Sequence, residues 1–120
     1  MVEAALTLTI ALMFLFGTMQ FAQAVWAYNL LAHASRTAAR YAIAHGTKSM
    51  STADTAKISS IVSNQVIGLS GVTTTTTWTP DKSPGSSVKV KVSYTYNFIG
   101  PYMPAASVTM ASTSQMTIIQ

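Results

Sequence analysis

Thirty-two consecutive residues, Ala4 through Ser35, carry no charged side chain, and a single acid, Glu3, stands at their head. As an α-helix at ~1.5 Å per residue this run is roughly 48 Å long, against about 30 Å for the hydrocarbon core of a bilayer. It is long enough to span a membrane, and too long and too apolar to be a surface helix of a small soluble domain. Ala, Leu, Met and Phe dominate Ala4–Phe16, and Gly17 is its weak point in water, where Gly costs ~1 kcal/mol relative to Ala. In lipid such a Gly permits close helix approach. A secretory signal would open on basic residues and close on a small-residue cleavage site; neither pattern is present, so a processed chain or an atypical start is expected.

Removing the first 45 or so residues leaves about 75 for a head, near the lower limit for an independent core. The lower half of the apolar helix is therefore expected to belong to that core. The chain has no cysteine, so neither a disulfide nor a thiolate metal site is available. Seven basic and three acidic residues give a net charge of +4, but only 8% of the residues are charged. That excess sets a high pI without forming a patch, which argues against nucleic acid as a partner.

From Ala22 to Ala44 the helix changes character. Asn29, His33, Arg36 and Arg40 recur at spacings of four, three and four and fall on one face. Leu31, Ala34, Ala38, Tyr41 and Ala42 fall on another, made of small residues that admit a close neighbour. Trp26 and Tyr28 suit an interfacial aromatic belt and equally suit packing inside a helical bundle. Gly46 is expected to close the helix in a left-handed cap. A second helix is expected from about Ser51 to Ile67, capped by Ser51 or Thr52, with Ala53, Ala56, Ile61 and Val62 as its apolar face.

At Val72 the period changes to two. Val72–Thr79 reads as a strand of β-branched residues, and Pro80 to Gly85 supplies turn chemistry. Val88, Val90, Val92, Tyr94, Tyr96 and Phe98 then alternate with Lys89, Lys91, Ser93, Thr95 and Asn97, which describes a half-buried antiparallel strand. A loop at Gly100-Pro101-Tyr102-Met103-Pro104 precedes a last strand over Ser107–Ile118. The expected fold class is α+β and pilin-like: a long hydrophobic N-terminal α-helix as stalk, over residues 1–46, and a small head over residues 47–120. The head combines a short second helix with a three-stranded antiparallel sheet in meander order.

Little here supports catalysis. The only acids are Glu3, Asp54 and Asp81, far apart in sequence, and His33 and His45 stand roughly 18 Å apart along one helix. No phosphate loop or nucleophile elbow occurs. The chain is read as a non-enzyme without cofactor or metal. Glu3 has two readings: a carboxylate at the positive end of the helix macrodipole, or one that neutralises a positive charge buried inside an assembly.

The order of features resembles a known family. A lone Glu heads the apolar helix, followed by Phe21-Ala22-Gln23-Ala24-Val25-Trp26-Ala27-Tyr28-Asn29 and by Ala34-Ser35-Arg36-Thr37-Ala38-Ala39-Arg40-Tyr41-Ala42. With the Val-x-Val-x-Tyr strand and the final Thr/Ser/Met-rich strand, this resembles the TadE-like pilins of the tight-adherence branch of type IV pili. The resemblance implies processing by a prepilin peptidase, handling by pilus assembly machinery, and residence in the inner membrane before export into an extracellular filament. It also implies that the acid near the N-terminus pairs with a neighbouring subunit's terminal amine. Glu3 is the candidate for that role, although it stands two positions before the family's usual fifth. Arg36, Arg40 and Lys48 after the stalk would by the positive-inside rule hold the head in the cytoplasm, whereas the resemblance puts it outside.

The chain is accordingly read as a structural filament subunit that serves adhesion or surface attachment, with identical subunits as its partners. Glu3, Phe14, Phe16, Gly17, Phe21, Trp26, Tyr28 and Leu31 are the residues expected at the subunit interface. The alternative is a minor pilin or membrane-anchored binding module that contacts DNA or a surface through Lys82, Lys89 and Lys91.

Overall fold

The computed structural model describes residues 1–99 and 106–119; the expected loop at Gly100–Pro104 lies outside them. Helix α1 runs unbroken over Val2–Ala44, 43 residues or about 65 Å, and dominates a molecule 73 Å long and about 20 Å thick. Its threonines do not interrupt it, because each hydroxyl donates back to a carbonyl of the preceding turn. Thr7 bonds Glu3 O at 2.6 Å, Thr9 bonds Ala5 O at 2.8 Å, and Thr18 bonds Leu15 O at 2.8 Å. A hydroxyl satisfied this way needs no water.

The helix has two halves with different surroundings. Every residue from Met1 to Met19 is exposed. Further along, Ala27, Leu31, Ala34, Ser35, Ala38, Ala39 and Ala42 are buried, while Asn29, His33, Arg36 and Arg40 form the exposed face, as their spacing requires. The buried face is mostly alanine, so the head's sheet lies close against the helix backbone. Ser35 keeps its one buried polar group satisfied, donating to Ala32 O at 3.0 Å beside Ser112 Oγ at 3.2 Å.

Helix α2 spans Thr55–Gln65 and starts later than the sequence suggests. The Ala53 amide donates to His45 O at 2.7 Å, which ties this segment to the end of α1 and buries Ala53. The first free capping position is therefore Asp54, in extended conformation, whose carboxylate accepts from Thr55 N at 2.8 Å. Its buried side chains are Ile58 and Val62, followed by Val66; Ala56 is exposed and Ile61 only half-buried. At the end of α1, His45 takes the cap, bonds Tyr41 O through Nδ1 at 2.9 Å and stacks on the Tyr41 ring. Gly46 is buried and is not among the left-handed glycines, which among the described residues are Gly68, Gly71 and Gly85.

Strands β1 (Thr73–Thr79), β2 (Ser87–Asn97) and β3 (Ser107–Thr117) form one antiparallel sheet in the order β1-β2-β3. Val88, Val90 and Val92 point inward, paired across to Trp78, Thr76 and Thr74 on one side and to Met116, Ser114 and Ser112 on the other. Helix α1 covers β2 and β3, and α2 packs beside it towards β1. Together with Leu31, Ile58, Val62, Val66 and Ile118 the valines make one core. The fold is thus the expected α+β arrangement of long apolar helix, short second helix and three-stranded antiparallel sheet. All three strands run along the stalk axis: Tyr96, near the end of β2, reaches Gln20 and Gln23, while Ile119 N, just past β3, donates to Ile43 O at 3.3 Å.

Candidate assembly and membrane surface

The free part of α1 is the largest unpartnered surface described. Val2–Met19 is 18 residues, about 27 Å of helix, close to the 30 Å hydrocarbon thickness. Among the described residues α1 is the one helix long and apolar enough to cross a membrane. Its rings and aliphatic side chains point outward in all directions, so no single groove on a soluble partner would cover them.

Of the eight residues expected at a subunit interface, Glu3, Phe14, Phe16, Gly17, Phe21, Trp26 and Tyr28 stand exposed on the helix. Leu31 does not: it is 0% exposed and sits in the head's own core. The face it occupies is where the sheet docks, one turn past Ala27. Trp26 reaches towards the end of α2, with its ring about 4.0 Å from where a Gly68 side chain would begin. Glu3 lies in the first turn of α1, where its charge meets the helix dipole.

At Gln20 the helix leaves the open and enters the head through a polar bracket. The Tyr96 hydroxyl lies 2.9 Å from Gln20 Oε1 and 3.0 Å from Gln23 Oε1, and Gln20 Nε2 donates to Ile99 O. This bracket sets the height at which the stalk emerges. Its signal in the sequence is two glutamines three apart in an otherwise apolar stretch, which puts them on one face; their partner, 73 residues away or more, left no local trace. Tyr96→Phe removes the shared donor and is expected to cost about 0.5–1.5 kcal/mol. Thermal melting of the detergent-solubilised chain measures it, as a midpoint several degrees lower.

The three lysines do not form one basic face. Lys82 Nζ donates to Ala53 O at 3.1 Å, lies 4.0 Å from the Asp54 carboxylate and 5.1 Å from the Trp78 ring centre, and so braces the distal loops. Lys89 and Lys91 are exposed on the outer sheet face, flanked by Thr77 and Gln115 and by Thr75 and Thr113. The groove between α2 and β1, lined by Ser59, Val62, Ser63, Val66, Val72 and Thr74, holds no titratable side chain.

Asp81 organises the turn before β2. It accepts from the Ser83 hydroxyl, from Ser83 N at 2.9 Å and from the Ser86 hydroxyl at 2.7 Å. These bonds, the Ser83 hydroxyl foremost, lower its pKa from 3.8 to about 2. A carboxyl depressed on folding stabilises the fold above its unfolded pKa and loses that contribution as pH falls through the folded value. The melting temperature is therefore expected to decline between about pH 4 and pH 2, and Asp81→Asn to flatten that decline.

An exposed apolar helix continuing as the spine of a small α+β head defines a stalk-and-head protein. Residues 1–40, the first third of the chain, match the family model described as TadE-like protein. The match falls on the stalk, where the residues themselves carry the resemblance to this family. No curated protein and no solved structure matches the chain.

Proposed function

We propose that this chain is a structural subunit of an extracellular tight-adherence, type IV-like pilus filament that serves surface attachment. The observation that carries the reading is the free half of α1: 18 residues without a covering surface, uncharged but for Glu3. Burying such side chains among identical neighbours gains roughly 1.5–3 kcal/mol each before association costs, far more than so small a head holds in reserve. Before assembly the same segment anchors the chain in the inner membrane. A prepilin peptidase and the assembly machinery then act on it, and the heads tile the outside of the filament. In this reading residues 1–46 serve as the stalk, their second half doubling as the head's spine, and 47–120 complete the head.

Electron microscopy of sheared surface filaments, with intact-mass analysis of their subunits, tests this. The expected result is filaments composed of this chain. A chain that stays monomeric in detergent and is missing from sheared filaments would falsify the proposal.

A further inference from the structure

The head's charges are not scattered. Helix α2 descends from Asp54 to Val66, beside Trp26, while β2 descends from Ser87 to Asn97, beside Gln20. Among the described residues, the end of the head nearest the free stalk is therefore built from the end of α2, the end of β2 and the start of β3. No residue from Ile58 to Pro80, or from Val92 to the end of the chain, is charged. Arg36, Arg40, Lys48, Asp54, Lys57, Asp81, Lys82, Lys89 and Lys91 all belong to the far end or the upper half. The near end instead exposes large apolar groups: Ile67 at 78% and Ile99 at 81%, with Val108, Phe21 and Trp26. Contacts place them within about 9 Å of one another along the helix axis, the six-residue rise from Gln20 to Trp26: Gln20 is bonded to Ile99, Val108 pairs with Tyr96, and Trp26 lies against Gly68, next to Ile67.

We propose that this end is a lipid-facing seat: while the stalk spans the bilayer, the uncharged collar rests in the headgroup–acyl boundary and holds the head upright on the membrane. The inference rests on the membrane-anchored stage of the proposed function. Three observations choose lipid as the occupant. The free helix ends one hydrocarbon thickness from its start, so Gln20 and Phe21 stand at the boundary. A tryptophan, with an apolar body and one N–H, sits about one and a half turns above, as interfacial aromatics do. Charge is absent where desolvation would penalise it and begins where water resumes. The neutral Asn97 and Ser107 at this end suit the same mixed layer.

The test uses the full chain in vesicles of mixed zwitterionic and anionic lipid, at low protein density so that copies are apart. The native tryptophans are Trp26 and Trp78; Trp78→Phe leaves Trp26 as the reporter. Single probes Ile67→Trp, Ile99→Trp, Phe14→Trp and Ile119→Trp are then placed in a chain lacking both. Phe14 reports the span, and Ile119, 68% exposed at the opposite end of the head, reports open water. Lipids brominated near the headgroup are expected to remove roughly half or more of the emission at positions 26, 67 and 99, as for rings at headgroup depth. Lipids brominated at mid-chain should quench position 14, and neither kind should quench position 119.

If position 14 is quenched while 67 and 99 behave like 119, the head stands clear of the bilayer and the seat is wrong while the span survives. If position 14 is also unquenched, the membrane-anchored stage fails and takes the seat with it. If 67 and 99 shift to the blue only at high protein density, without bromine quenching, a neighbouring copy covers the collar and the lipid assignment is overturned.

Discussion

Ile10→Arg is expected to abolish surface filaments while leaving the head folded. Ile10 lies at the middle of the free helix, exposed, and touches nothing in the head. An arginine at the centre of a spanning helix costs about 2.5–3.5 kcal/mol on insertion scales and forfeits the favourable share of the isoleucine. That is more than a hundredfold in occupancy of the membrane, before any assembly. Inside a bundle of stalks the penalty grows, because each subunit would bring an unpaired buried cation. Ile10→Leu, which conserves volume and polarity, should assemble normally. Sheared-filament yield read beside the thermal transition of the detergent-solubilised chain separates the two effects. Wild-type yield from the arginine variant would show that the stalk is not buried in the assembly.

The second large effect is expected inside the head. Leu31→Ala removes a side chain that is 0% exposed between the sheet and α2 and should cost about 2–5 kcal/mol, since so tightly packed a site collapses little. A small domain holds about 5 kcal/mol or somewhat more in total, so the variant head is expected to be largely melted at physiological temperature. Circular dichroism in detergent should show the sheet signal lost while the stalk's helical signal persists. Phe16→Ala is the counterpart: exposed in the single chain, it should move the head's melting point little yet weaken filaments. If Leu31→Ala instead melted like wild type and lowered only filament yield, Leu31 would belong to a subunit interface after all.

The contrast between these two residues shows what was legible in the residues alone. Both are large apolar side chains of one helix, fifteen positions apart, and no periodicity separates a residue buried by its own head from one awaiting lipid or a neighbour. The polar face of Asn29, His33, Arg36 and Arg40 was legible, because 3.6-residue spacing dictates it. So were the strands, whose alternation over Val88–Tyr96 can bury only one side. The start of α2 was not. Ser51, Thr52 and Asp54 are all competent caps, and the choice of Asp54 is made by the long-range bond from Ala53 N to His45 O.

Lys82 makes the same point for charge. Beside Lys89 and Lys91 in sequence it reads as a third member of a basic face, yet it is consumed by Ala53 O, Asp54 and Trp78. The two remaining lysines lie on a hydroxyl-rich sheet face, where cations on an exposed surface are ordinary solvation.

The amino-acid order by itself determined that there is a stalk, that its second half is amphipathic, and that a short helix and three strands follow. Those are statements about period and polarity, which a chain carries locally. Only the tertiary structure decided where along the stalk its contacts with the head begin, at the bracket of Gln20, Gln23 and Tyr96. It also decided which apolar residues stay uncovered and that the head's charges lie in the half away from the free helix. Each of these depends on contacts between residues some 20 to 80 positions apart, and the energy of such contacts is set by what the fold brings together.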